Sequence, residues 1–258
     1  MLLQSVNQDF IFPLAEPRQY NVIGDIRHTG NQAGFVKYRA VGQNNPDIEI
    51  NRCLVRDNGV QVLNLTAPSM IDLFIQNNAR LNVNNNFLAY NKGGAIHLYT
   101  YANQVERSLY ANITTNVIDA NTLGAPIHLE GTRYQRITFS NNYVGHNNVE
   151  HRNIMAVFGV GMNMTNNTLF ENKGASVLNV SSDKEVGIYQ FYSFNYLYRN
   201  KAIGPFHTTV FTNSSRQKFE KNYFFNEEND LELATTNRSR YGRRNLLTYG
   251  SEGLEEFF

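Results

Sequence analysis

The sequence has no tryptophan, a single cysteine, only six prolines and few charges for its length. Each shortage excludes something. A lone Cys53 cannot close an internal disulfide, so the chain is not a disulfide-stapled scaffold. Charged residues are 17% of 258, against roughly 25% in an average globular domain, and the formal net charge is +1. That balance offers no basic field to a nucleic acid or an anionic membrane. No stretch approaches the roughly 18 consecutive apolar residues of a membrane span, so this segment itself is expected to make no membrane contact. Residues 1–20 lack the basic start, apolar run and small-residue cleavage site of a signal peptide. A mature domain and a piece cut from a longer protein would both read this way.

Asparagine supplies the missing polarity. There are 37, and they are not scattered. Residues 81–100, LNVNNNFLAYNKGGAIHLYT, and residues 162–181, MNMTNNTLFENKGASVLNVS, are two copies of one repeat. A fixed period decides architecture before local propensity does. Aligning the first corner gives Cys53, Asn86, Asn116, Asn142, Asn167, Asn195 and Asn222, at steps of 33, 30, 26, 25, 28 and 27 residues. Five positions on stand Asn58, Asn91, Asn121, Asn147, Asn172, Asn200 and Glu227, so two asparagine ladders run in step.

Apolar slots keep the same register. Two residues after the first corner come Val55, Leu88, Ile118, Val144, Leu169, Leu197 and Phe224. Three residues before it come Ile50, Val83, Ile113, Phe139, Met164, Tyr192 and Phe219, each preceded mostly by a polar residue. This is the period-two alternation of strands with one buried face. Alternation breaks at the corner, where asparagine tolerates left-handed backbone and its amide both donates and accepts hydrogen bonds. Like residues stacked about 4.8 Å apart are the logic of a parallel β-helix, whose coils bury a core only by stacking. The fold expected is therefore all-β, a single-stranded right-handed parallel β-helix. Residues 1–18 are read as an N-terminal cap or lead-in, 19–236 as the β-helix with a degraded first coil, and 237–258 as a basic then acidic tail or linker. Variable loops are expected near 67–70, 101–105, 146–153 and 181–186. Cys53 fills a corner slot and is read as a small buried side chain.

Candidate chemistry is sparse. Lyases and hydrolases built on β-helices need carboxylates stacked for Ca²⁺ or paired at catalytic spacing. In the slot before the second ladder the residues are Asp57, Tyr90, Ala120, His146, Glu171, Arg199 and Asn226, and one slot earlier Arg56, Ala89, Asp119, Gly145, Phe170, Tyr198 and Phe225. No acid lies above an acid in either row. His97, His128 and His207 each follow an inward apolar residue and are read as outward; His97 and His128 fall on neighbouring coils, with Glu130 the nearby acid. Without a third ligand they are read as surface histidines, so no catalytic residue, cofactor or metal is expected. Asn-x-Ser/Thr acceptors occur at Asn64, Asn112, Asn163, Asn166, Asn179, Asn213 and Asn237, with Asn112 and Asn163 in outward slots. Arg238, Arg240, Arg243 and Arg244 crowd the start of the tail, where Arg240, Arg243 and Arg244 form a candidate processing site. Aromatic residues gather in the last coils, and Tyr196 and Tyr223 share a slot with Phe87 and Tyr143; core packing and inter-coil stacking are expected of them, with an exposed row that stacks on sugar rings or meets a protein as the alternative.

The coil pattern of residues 48–236 resembles right-handed β-helix repeats of carbohydrate-binding proteins and sugar hydrolases. A narrower resemblance lies in residues 149–180, VEHRNIMAVFGVGMNMTNNTLFENKGASVLNV, and 85–98, NNFLAYNKGGAIHL. These resemble the β-helix segments of the Bark beetle/Anakonda family of invertebrate transmembrane proteins. That resemblance implies an extracellular piece of a large adhesion-type, cell-surface glycoprotein at tricellular, septate-type epithelial junctions, beside scavenger-receptor and lectin-like domains that this chain does not contain. It brings no catalytic motif. The function expected is a rigid extracellular scaffold or adhesion segment that binds protein or glycan partners without catalysis. A carbohydrate-active or carbohydrate-binding β-helix is the alternative, and end-to-end or lateral self-association is a further expectation.

Overall fold

In the computed structural model the chain winds into a parallel β-solenoid. The structure describes residues 10–12, 20–31, 34–40, 47–59, 69–75, 79–100, 109–131, 135–181, 190–204, 208–212, 217–226, 229–233, 245–249 and 254–257. Each coil contributes one strand to each of three long sheets. Sheet I stacks eight strands, from Tyr20–Gly24 to Gln217–Glu220. Sheet II follows the first corner and runs in parallel through Arg27–Thr29, Leu54–Arg56, Phe87–Ala89, Val117–Asp119, Tyr143–Gly145, Thr168–Phe170, Tyr196–Tyr198 and Tyr223–Asn226. Sheet III has nine strands, from Phe10–Phe12 to Asn229–Leu233. A small fourth sheet joins Asn148–Val149, Lys173–Gly174 and Lys201–Ala202 just beyond the second corner.

The sheets run past both ends of the 19–236 segment. Phe10–Phe12 pairs with Val36–Ala40 in sheet III. Asn245–Tyr249 extends sheet II in parallel, and Leu254–Phe257 then closes against it antiparallel. Two of the expected loops are corrected as well. Met70 opens the strand Ser69–Ile75, and 146–153 holds the ladder residue Asn147 and the strand Asn148–Val149, because the coil there turns without an excursion.

Register places like over like. Ile50, Val83, Ile113, Phe139, Met164, Tyr192 and Phe219 pair in succession and are all buried. So are Val55, Leu88, Ile118, Val144, Leu169, Leu197 and Phe224 in sheet II. One continuous core results, and each residue in it is covered by its own repeats above and below.

The corners work differently from the sequence expectation. The left-handed residue is not the ladder asparagine but the one before it, with φ of 49–58° at Asp25, Arg52, Asn85, Thr115, Asn141, Asn166, Phe194 and Lys221, and again at Asp57, Tyr90, Ala120, His146, Glu171 and Arg199. Left-handed backbone costs a non-glycine residue about 1–2 kcal/mol, and only Gly30 among these corners avoids it. Ladder bonds offset that cost. Asn116 is typical: its Oδ1 accepts from Asn86 N and Asn86 Nδ2, at 3.1 and 3.0 Å. Its Nδ2 donates to Asn142 Oδ1 at 3.0 Å and to the Val83 carbonyl at 2.9 Å. All four hydrogen-bonding positions of a fully buried amide are filled, as burial demands.

The same pattern links Asn86, Asn116, Asn142, Asn167, Asn195 and Asn222. It also links Asn58, Asn91, Asn121, Asn147, Asn172 and Asn200. The second ladder is longer than expected at both ends. Asn31 joins it below, its N–H donating to Asn58 Oδ1 at 3.0 Å. Above, Asn226 rather than Glu227, four residues after Asn222 where the other coils have five, accepts from Asn200 at 2.9 Å, because the strand Tyr223–Asn226 reaches it with no left-handed residue between. Cys53 is buried as expected, and its N–H still donates to Asn86 Oδ1 at 3.0 Å.

Candidate functional site

Two clusters of titratable side chains stand on the outward faces. On sheet III, His97 and His128 are in register on adjacent strands, with ring centroids 4.9 Å apart in an edge-to-face arrangement. The Nδ1–H of His97 donates to Asp72 Oδ1 at 2.9 Å, and the Nε2–H of His128 donates to Glu130 Oε2 at 3.1 Å. His97 and His128 were singled out from sequence as outward neighbours, with Glu130 as the nearby acid. Asp72 was missed. It lies on Ser69–Ile75, opposite His97, in a coil whose start reads as a loop.

Each carboxylate fixes the tautomer of its imidazole, leaving His97 Nε2 and His128 Nδ1 as acceptors. Burial of His128, which also packs against Phe158 at 5.4 Å between centroids, pushes its pKa down; its bond to Glu130 opposes this and a charge on His97 adds to it. The arrangement can hold or pass a proton. Among the described residues no group of three or more His, Cys, Asp or Glu side chains is set to hold a metal ion. His207 lies outside the described residues.

The second cluster lies at the corner after sheet II. His146 Nδ1–H donates to Asp119 Oδ1 at 2.8 Å, while its Nε2 is 3.4 Å from Glu171 Oε2. Arg199 reaches Glu171 at 3.6 Å and lies over Tyr198. No acid stacks on an acid within either corner row, as the sequence showed, yet acids from the two rows converge on one histidine. A diagonal between slots is invisible to a slot-by-slot reading.

Inter-coil stacking occupies the ring faces of one outward row, whereas in the slot shared by Phe87, Tyr143, Tyr196 and Tyr223 the last two rings are tilted at 42°, 5.9 Å apart. Phe170 stacks on Tyr198 at 5.4 Å and 14°, and Tyr198 on Phe225 at 5.5 Å and 26°. Stacking along the solenoid axis turns ring faces towards each other and edges to solvent, which leaves little face for a sugar ring. Tyr196 and Phe194 are 56% and 46% exposed, while Tyr192 and Phe224 point inward.

Of the glycan acceptors, Asn112 and Asn163 are exposed on sheet I, Asn166 is exposed at the corner between sheets I and II, and Asn179 is half-buried on sheet III. Asn64, Asn213 and Asn237 lie outside the described residues, as do Arg240, Arg243 and Arg244 of the candidate processing site.

Fold and ladders define the class, a parallel β-solenoid with asparagine-stacked corners. Among curated proteins the chain is similar to Protein bark beetle of Drosophila melanogaster, with 27% identity over 242 residues covering 89% of this chain. The match spans 8% of that protein's length. It agrees with the resemblance carried by residues 85–98 and 149–180. No family profile and no solved structure matches the chain.

Proposed function

We propose that the chain is a rigid extracellular scaffold or adhesion segment of a larger cell-surface protein at epithelial junctions, acting without catalysis. The observation that carries this reading is the similarity to Protein bark beetle, which runs through nearly the whole solenoid and occupies a small part of the longer protein. Three further features support it. Ladders at both corners stiffen every coil. Exposed acceptors at Asn112 and Asn163 leave room for glycans on sheet I. Ring faces in the row of Phe170, Tyr198 and Phe225 are spent on one another, which favours a protein partner over a sugar there.

Glycopeptide mapping of the chain secreted from eukaryotic cells tests the reading. Occupancy at Asn112 and Asn163 is expected; a well-secreted chain bare at both positions would overturn the extracellular glycoprotein assignment. The paired dyads, Asp72 with His97 and Glu130 with His128, favour one second reading, a carbohydrate-active β-helix. Turnover of oligouronates that is lost in His97→Ala or His128→Ala would establish it in place of the scaffold.

A further inference from the structure

The outward surface of sheet II is self-complementary, and we propose that it is the contact face between two antiparallel copies of this chain. Let coils one to eight be counted by the first eight of the ten sheet II strands, from Arg27–Thr29 to Tyr223–Asn226, with Asn245–Tyr249 and Leu254–Phe257 beyond coil eight and outside the paired area. Place a two-fold axis in the face, parallel to its strands, between coil four at Val117–Asp119 and coil five at Tyr143–Gly145. Coil one of one copy then lies over coil eight of the other, two over seven, three over six and four over five. Every outward row meets itself reversed, as an isologous interface requires.

The pairings this generates match in charge and in size. Along the two flanking corner rows, Asp25 faces Lys221 and Asp57 faces Arg199, all four exposed. Along the two strand rows, Arg27 faces Tyr223 and Arg56 faces Tyr198, each an arginine opposite a tyrosine whose hydroxyl can accept from the guanidinium. Small faces large where Ala89 meets Phe170. Among the described residues of these four rows, no like charges oppose.

Sheet II is also the face left clear by the acceptors Asn112, Asn163 and Asn179, which stand on sheets I and III. Its extent is about 34 Å along seven coil steps and about 16 Å from corner to corner, taken from ordinary strand spacing and rise. That gives about 500 Å² per copy, in the range of weak, reversible complexes.

Sedimentation velocity on the unglycosylated chain, from micromolar to near-millimolar concentration, tests the proposal. A monomer–dimer equilibrium is expected. Asp57→Arg or Arg199→Asp alone should weaken the dimer by about tenfold or more, because each places two like-charge pairs in the two-fold interface. The double variant Asp57→Arg/Arg199→Asp should restore it. The backbone is no obstacle, since both residues occupy the same left-handed corner, at φ of 57° and 52°; the swap does trade the Asp57–Arg56 and Arg199–Glu171 pairs, at 2.6 and 3.6 Å, for like charges, so the melting midpoint of each variant is measured alongside. Arg80→Glu, exposed on sheet I, should change nothing. A chain monomeric throughout, a dimer indifferent to the single reversals, or a swap that fails to rescue would each overturn the two-fold contact. So would a glycan at Asn166, which would crowd coil six on the border of the face. None of these outcomes bears on Asn112 and Asn163, so the scaffold reading stands or falls separately.

Discussion

Replacing Asn142 with leucine removes one rung from the middle of the first ladder, and the structure shows what that leaves behind. Asn142 Oδ1 accepts from Asn116 N and Asn116 Nδ2, at 2.9 and 3.0 Å, and its Nδ2 donates to the Ile113 carbonyl at 2.9 Å and to Asn167 Oδ1 at 3.0 Å. Leucine satisfies none of the four. All belong to buried groups, and a buried polar group without a partner costs about 1–3 kcal/mol. Partial relaxation and the apolar gain of leucine offset some of this, so a net loss of about 3–5 kcal/mol is expected. The left-handed Asn141 loses its support as well, because the bonds holding the turn closed are gone. Urea unfolding followed by far-ultraviolet circular dichroism measures the effect. Asn163→Leu, exposed on sheet I, serves as the control and should stay within about 0.5 kcal/mol. If Asn142→Leu costs less than about 1 kcal/mol, the ladder amides are not the buried, four-bonded groups described here and the corner argument is wrong.

Other substitutions test neighbouring claims. Cys53→Asn should add a rung, its amide reaching Asn86 Oδ1 and the Ile23 carbonyl that the thiol now approaches at 3.6 Å, and raise stability by about 1 kcal/mol; a lower melting midpoint would contradict it. Tyr192 is wholly buried in an inward slot with no hydrogen-bond partner for its hydroxyl among the described residues, so Tyr192→Phe should raise the midpoint by the equivalent of about 1–2 kcal/mol, and a fall would reveal a partner for that oxygen. His128 has its pKa depressed by burial, so the unfolded chain takes up its proton more readily than the folded one. Stability should therefore fall as pH drops through the ordinary histidine range and level off below the folded-state value. His128→Gln should flatten that slope, which denaturation at a series of pH values would detect. Burial likewise raises the Cys53 thiol, so native protein should resist a thiol reagent that labels it at once in urea.

The fold was legible because the repeat writes it several times over. Seven apolar residues at one offset and twelve asparagines at two others leave little freedom once period-two alternation is recognised, and each of those residues is buried where the register puts it. The errors came where one coil departs from the rest. Asn226 was overlooked because the last coil is one residue shorter between its corners, and Asn31 because the first ladder has Ile26 at the matching corner. The left-handed residue was assigned to the asparagine by local propensity. In the structure the ladder asparagine has a different task, and the residue before it, even β-branched Thr115, is forced into the turn at every ladder asparagine but Asn226. Tertiary bonds overrode residue preference there. The clusters were harder to see, since Asp72 reaches His97, and Asp119 and Glu171 reach His146, across slots rather than along one.

A structure stabilised in this way separates what holds it together from what it displays. The inward slots and the ladders fix the register, so the outward rows of sheet II carry little of the folding energy and are free to take any residue. Free rows in a random solenoid should show no relation between coil one and coil eight. Here acids at Asp25 and Asp57 are matched by cations at Lys221 and Arg199, and arginines at Arg27 and Arg56 by tyrosines at Tyr223 and Tyr198, about one midpoint. Within one copy these charges have nearer partners, Asp25 with Arg52, Asp57 with Arg56 and Arg199 with Glu171, while the paired coils are too far apart along the axis to touch. The match between distant coils is the relation that a second copy would use. The charge exchange between Asp57 and Arg199 is therefore the decisive perturbation, since each single reversal breaks the relation between distant coils and only the exchange restores it, although the exchange also replaces the local Asp57–Arg56 and Arg199–Glu171 pairs by like charges.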